Sequence, residues 1–138
     1  MGSQQLLLIV LGCIVVGTGV ALALLFFGSS AEQANKDALT QDCLKLISTA
    51  QAYFGKPAML GGGDHSFKGI TIRDCGMAMN EKGVGQNLTG TFAMVDITDP
   101  TLSVQAVSNT NAAQTVTVTI DMRESTPEKR LSVEYTGW

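Results

Sequence analysis

Hydrophobic and polar positions divide the 138-residue chain into three stretches of different period. Residues 6–27, "LLLIVLGCIVVGTGVALALLFF", have no polar face: 22 residues pass without a charge or a proline. A helix of that length spans roughly 33 Å, about the thickness of a bilayer's hydrocarbon core. A helix apolar on every side has to be covered on every side, by lipid or by other helices. No Lys or Arg precedes it to supply the basic flank of an ordinary membrane anchor or secretory signal. The next stretch, "AEQANKDALTQDCLKLISTAQAYFG", is different. Leu39, Cys43, Leu46, Ile47, Ala50, Tyr53 and Phe54 recur at three-and-four spacing and mark one face of an amphipathic helix. Ser29 or Ser30 is a candidate N-cap with Glu32 in the first turn, and Gly55 and Pro57 supply the stop. Gly28 alone need not break a helix, so one continuous rod is predicted.

From residue 66 onward the period falls to two. "VTVTIDM" sets Val116, Val118, Ile120 and Met122 against Thr117, Thr119 and Asp121, and "LSVEYTGW" alternates Leu131, Val133 and Tyr135. Both read as half-buried antiparallel strands joined by the polar connection "RESTPEKR". "SFKGITIRD" and "LTGTFAMVDI" are further strand candidates, with "LSVQAV" the weakest of the set. Gly61, Gly62 and Gly63 read as a flexible turn releasing the chain from helix to sheet. The fold class expected is α+β: a long N-terminal helix packed on a small antiparallel sheet of four or five strands. Its divisions are an apolar helix over residues 1–28, its amphipathic continuation over 29–56, and a β-domain over 57–138.

Composition narrows the function classes. Net charge is −3, only 15% of residues are charged, and the nine basic residues are scattered. No nucleic-acid footprint is present in such a chain. A polar part rich in Thr, Ser, Asn and Gly suits β-structure outside the cytoplasm. No catalytic constellation can be assembled, so no enzymatic activity is expected. His65, the one histidine, stands beside Asp64 and Ser66. Neighbours in a Gly-rich loop do not converge as a relay does, so His65 reads as a polar loop residue. The glycine run lacks the Lys-Ser/Thr of a phosphate loop. Asp96 and Asp99 fit no EF-hand spacing, and Asp99-Pro100 reads as the start of a turn. No metal or cofactor is expected.

Two further features bear on the compartment. Cys13 lies in the apolar helix, while Cys43 and Cys75 lie in the polar part, 32 residues apart. Outside the cytoplasm a Cys43–Cys75 disulfide is the natural pairing, worth roughly 3–4 kcal/mol on the chain-entropy model; the alternative is two unrelated buried thiols. Asn87-Leu88-Thr89 matches the N-glycosylation acceptor pattern.

An apolar helix that runs into an amphipathic one and then into a small antiparallel β-domain resembles a type IV pilin. The likeness is strongest over "QQLLLIVLGCIVVGTGVALALLFF" and covers the whole chain in architecture. It implies a basic leader removed by a prepilin peptidase, with Met1 a candidate processed N-terminus open to N-methylation. It also implies a membrane-inserted stage, partnership with an inner-membrane pilus assembly machinery, and a homopolymeric extracellular filament built around the helix. The assembly helix would then comprise Gln5, Leu6, Leu7, Leu8, Ile9, Val10, Leu11, Gly12, Ile14, Val15, Val16, Gly17, Gly19, Val20, Leu22, Leu24, Leu25, Phe26 and Phe27. The chain departs from the family at one point. The glutamate common at the fifth mature position is replaced by Gln5 if Met1 is first, or by Leu7 if Ser3 is first. The helix-interrupting proline is also missing, leaving Gly17 and Gly19 as its softest point. The expected function is therefore a structural filament subunit. The alternatives are a pseudopilin or minor tip subunit, and a membrane-anchored extracytoplasmic binding domain.

Overall fold

A computed structural model describes residues 2–138. Helix α1 runs Gly2–Gly55 as a single 54-residue element. Ser29 does not cap a new helix: its Oγ donates to the Phe26 carbonyl at 3.1 Å, and helical pairing continues through Gly28. After a short 3₁₀ turn at Ala58–Leu60 the chain folds into a sheet of β1 (Gly85–Gln86), β2 (Gly90–Thr98), β3 (Thr101–Ser108), β4 (Thr115–Asp121) and β5 (Leu131–Thr136). Every neighbouring pair is antiparallel and spatial order follows chain order. One helical turn, α2 (Pro127–Arg130), lies within the polar connection before β5.

Two compact units result, Met1–Ala34 and Asn35–Trp138. The amphipathic part of α1 therefore belongs with the sheet. Its predicted stripe is the buried one: Leu39, Cys43, Leu46, Ile47 and Ala50 are the buried residues of the helix. They meet the alternate residues of the sheet, Leu102, Val104 and Ala106 from β3 and Val116, Val118 and Ile120 from β4, all fully buried. The intervening positions, Ser103, Gln105, Thr117 and Thr119 among them, form a hydroxyl-rich outer face, where the Ser103 and Thr119 hydroxyls share a 2.8 Å hydrogen bond. Phe92 fills the width of three strands, because its partners across the sheet are Gly85 on one side and Ala106 on the other. Gly90 marks a close approach of sheet to helix. A Cβ there would stand 2.4 Å from the Val107 carbonyl oxygen and 2.6 Å from Leu39 Cδ2.

Two expectations are corrected. Residues 66–74 form turns, not a strand, although Phe67, Ile70 and Ile72 are all buried. The Asp74 carboxylate explains this, since it accepts from both the Thr71 N–H at 2.8 Å and the Thr71 hydroxyl at 2.7 Å. A side chain that captures nearby backbone donors competes with ladder pairing. The glycines at 61–63 are not a flexible release either. A Cβ on Gly63 would lie 1.9 Å from the Ser66 carbonyl oxygen and one on Gly62 2.2 Å from that of Lys56. Gly62 and Gly63 are glycines because the backbone folds back on itself there, and Gly61 because its φ is +78°. "LSVQAV", the weakest strand candidate, lies within the eight-residue β3.

Candidate functional site

The surface that demands an explanation is the first half of α1. Its large aliphatic and aromatic side chains between positions 6 and 27 are each 49–73% exposed. The same stretch is long and apolar enough to cross a membrane. Its one hydroxyl is already satisfied: Thr18 Oγ1 contacts the Ile14 carbonyl at 2.9 Å and that of Val15 at 3.0 Å. A hydroxyl turned back on its own helix needs nothing from lipid or from a neighbouring chain. Gln5 through Phe27 all lie in this helix, and the first charged side chain along the sequence is Glu32. Gly12, Gly17 and Gly19 have open space where a Cβ would point, so they leave shallow notches in the helix surface. Met1 lies outside the described residues.

The remaining candidates are placed as follows. His65 Nδ1 lies 3.8 Å from Asp64 Oδ1, both side chains well exposed, and its ring meets Phe54 edge-on. Ser66 instead donates to Asp99 Oδ2 at 2.7 Å, so the three adjacent residues form no relay. Asp99 also accepts from the Phe67 N–H at 3.2 Å, tying the loop to the β2–β3 turn, while Asp96 accepts from the Thr98 hydroxyl at 2.6 Å. The two aspartates thus serve separate local contacts. Among the described residues no group of three or more His, Cys, Asp or Glu is gathered to hold a metal ion.

Asn87, the glycosylation candidate, is a structural hub whose role the sequence does not reveal. Its Oδ1 accepts from the Thr89 N–H at 2.9 Å and the Gly90 N–H at 3.0 Å, shaping the turn that leads into β2. Its Nδ2, the atom a glycan would occupy, donates to Asp42 on α1 at 2.8 Å, and the Thr89 hydroxyl donates to the same Asp42 oxygen at 2.6 Å. Asp42 thereby locks the β1–β2 turn to the helix.

The expected Cys43–Cys75 bridge is not formed; both are free thiols within one core cluster. Burial, with a smaller contribution from Asp42, pushes the Cys43 thiol up to about 12, and burial with Asp74 pushes Cys75 up to about 11. Ionising either thiol is easier in the unfolded chain, where the ordinary value of 9.0 applies. Their contribution is therefore complete below pH 9 and is lost as pH rises from there through 11 and 12. Urea unfolding should show stability falling by roughly 2–3 kcal/mol between pH 8 and pH 10 from these two groups together. A chain carrying both Cys43→Ala and Cys75→Ala should lack that component. Equal slopes in the two chains would place the thiols outside the core.

Comparison with known proteins finds no matching family model, no matching curated protein and no matching solved structure. The functional reading rests on the chain's own physics and on the resemblance described above.

Proposed function

We propose that this chain is a structural subunit of an extracellular, type IV pilus-like filament. One observation carries the reading: an all-apolar, uncharged and exposed helical stretch precedes a domain that has a complete core of its own. Such a stretch is unfavourable in water, since each large aliphatic side chain left exposed forgoes about 1.5–3 kcal/mol. Lipid covers it before assembly, and the same helix from neighbouring copies covers it afterwards. The low-charge Thr/Ser face of the sheet suits the solvent side of such a filament. A prepilin peptidase and an inner-membrane assembly machinery are the partners this reading brings, with a pseudopilin or minor tip subunit as a variant of the same chemistry. The span length also fits a permanently anchored extracytoplasmic domain, which is the competing reading.

Deleting residues 1–28 separates them. The full chain, purified in detergent, should form sedimenting polymers when detergent is removed, and the shortened chain should give the light-scattering mass of a monomer. Polymers from the shortened chain would show that the β-domain drives assembly and would overturn the proposal. A full chain that inserts into vesicles and never polymerises would favour the anchored domain.

A further inference from the structure

The acceptor pattern Asn87-Leu88-Thr89 sits on the β1–β2 turn, half outward and half inward. Leu88, its middle residue, is 99% exposed, so the turn stands at the surface. The two residues that give the pattern its chemistry face α1 instead. Asn87 Nδ2 donates to Asp42 Oδ2 at 2.8 Å, and the Thr89 hydroxyl lies 2.6 Å from that oxygen and 2.6 Å from Asn87 Oδ1. Asn87 Oδ1 also accepts from the Thr89 and Gly90 N–H groups. The backbone of the turn is held from beyond β3, where Asn109 Nδ2 donates to the carbonyls of Asn87 and Leu88 at 3.0 and 3.3 Å.

We infer that Asn87 is a sugar-acceptor site that stays open only until α1 docks on the sheet, with Asp42 as its gate. The inference needs the second unit to lie outside the cytoplasm, which the filament and anchored-domain readings share, and it does not depend on polymer formation. Transfer joins Nδ2 to the anomeric carbon of a sugar, breaks that carbon's bond to the diphosphate of a lipid-linked donor, and releases an Nδ2 proton. An amide nitrogen is a poor nucleophile because its lone pair is delocalised into the carbonyl. To attack, the carboxamide has to turn about its C–N bond. The pattern also demands a hydroxyl two residues on, so the transferase has to reach Thr89 as well. In the folded unit both ends of the carboxamide and that hydroxyl are already engaged.

Asp42 occupies the gate only in the docked state. It lies between Leu39 and Cys43 of the buried face of α1, so packing that face against the sheet is what carries the carboxylate to the turn. The contacts from Asn87 Oδ1 to the N–H groups of residues 89 and 90 are local and form without the rest of the fold. The contact to Asp42 spans 45 positions and requires it. Hydrogen bonds to an ionised acceptor are the stronger kind, and here two donors converge on one carboxylate oxygen. Freeing Asn87 and Thr89 for a transferase leaves that oxygen without either donor. Removing the carboxylate removes the restraint and leaves the local turn in place.

The test uses the full chain folded in detergent, an oligosaccharyltransferase that accepts Asn-X-Thr, and a lipid-linked diphosphate sugar donor. Intact mass reads the transfer. Asp42→Ala, its fold checked by circular dichroism, should gain sugar about tenfold or more faster than the wild type. Asp42→Asn, with a weaker neutral acceptor, should gain it about threefold or more faster, and it carries the comparison if alanine unfolds the unit. Phe92→Ala, held above its lowered melting temperature, supplies the unfolded acceptor and should react fastest. Thr89→Ala should gain nothing, which places the sugar on Asn87. Equal rates for the folded wild type and both Asp42 variants would overturn the gate. No transfer to the unfolded chain would overturn the acceptor site itself. Neither result touches helix-driven assembly, which sedimentation reads separately.

Discussion

Val16→Lys should abolish polymers while leaving the second unit folded. Val16 lies mid-way along the apolar stretch and is 66% exposed in the isolated chain, so the substitution makes no clash and breaks no contact within the subunit. Its whole effect is reserved for whatever covers the helix. An ammonium there costs roughly 2.5–3.5 kcal/mol in the middle of a bilayer, and several kcal/mol in a protein bundle that offers no carboxylate. The stretch offers none, since no acid precedes Glu32. Because every subunit of a polymer would carry the same unpaired charge, the loss should be close to complete by sedimentation. Val16→Leu, apolar and of similar shape, should polymerise normally. Circular dichroism of the lysine variant in detergent should match the wild type, and wild-type amounts of filament from it would rule out a dry helical core.

Phe92→Ala should be the most damaging single truncation in the second unit. The ring is fully buried and lies between Gly85 and Ala106, neither of which can grow into the space it leaves. A cavity that wide costs about 3–5 kcal/mol. For a unit of this size the melting temperature moves about 4–8 °C per kcal/mol, so the variant should melt at least about 12 °C lower, or fail to fold at physiological temperature. Phe92→Leu should lose much less. A drop below about 1 kcal/mol for the alanine variant would mean that neighbouring strands collapse into the gap. Filament assays on this variant would read folding as well as assembly, which is why Val16 is the better probe of the helix.

The elements readable from sequence are those whose burial has a period. Leu39, Cys43, Leu46, Ile47 and Ala50 repeat with the helical turn, and Leu102, Val104 and Ala106 repeat with the pleat. Two places mislead for physical reasons. Phe67, Ile70 and Ile72 are buried as strongly as any strand residue, but turns held by Asp74 bring them inward. β1 has two residues, Gly85 and Gln86, too few to express any alternation. The apolar stretch is evident from composition alone, because its meaning lies in having no pattern. The Asp42–Asn87 lock is invisible at that level, because it joins residues 45 positions apart.

The strictly sequential order of the strands also bears on how the chain reaches its native state. Each of β2 to β5 pairs with the strand before or after it in the chain, so every ladder closes over a short loop. Nearby pairings of this kind carry a small closure entropy and form quickly compared with the interleaved strands of a Greek key. The ladders from β2 to β5 join strands adjacent in the chain, whereas the helix packing joins residues far apart in sequence. Docking Leu39 and Cys43 against β3 and β4 closes a much longer stretch of chain, which makes the helix–sheet core the costlier contact to bring together in entropy.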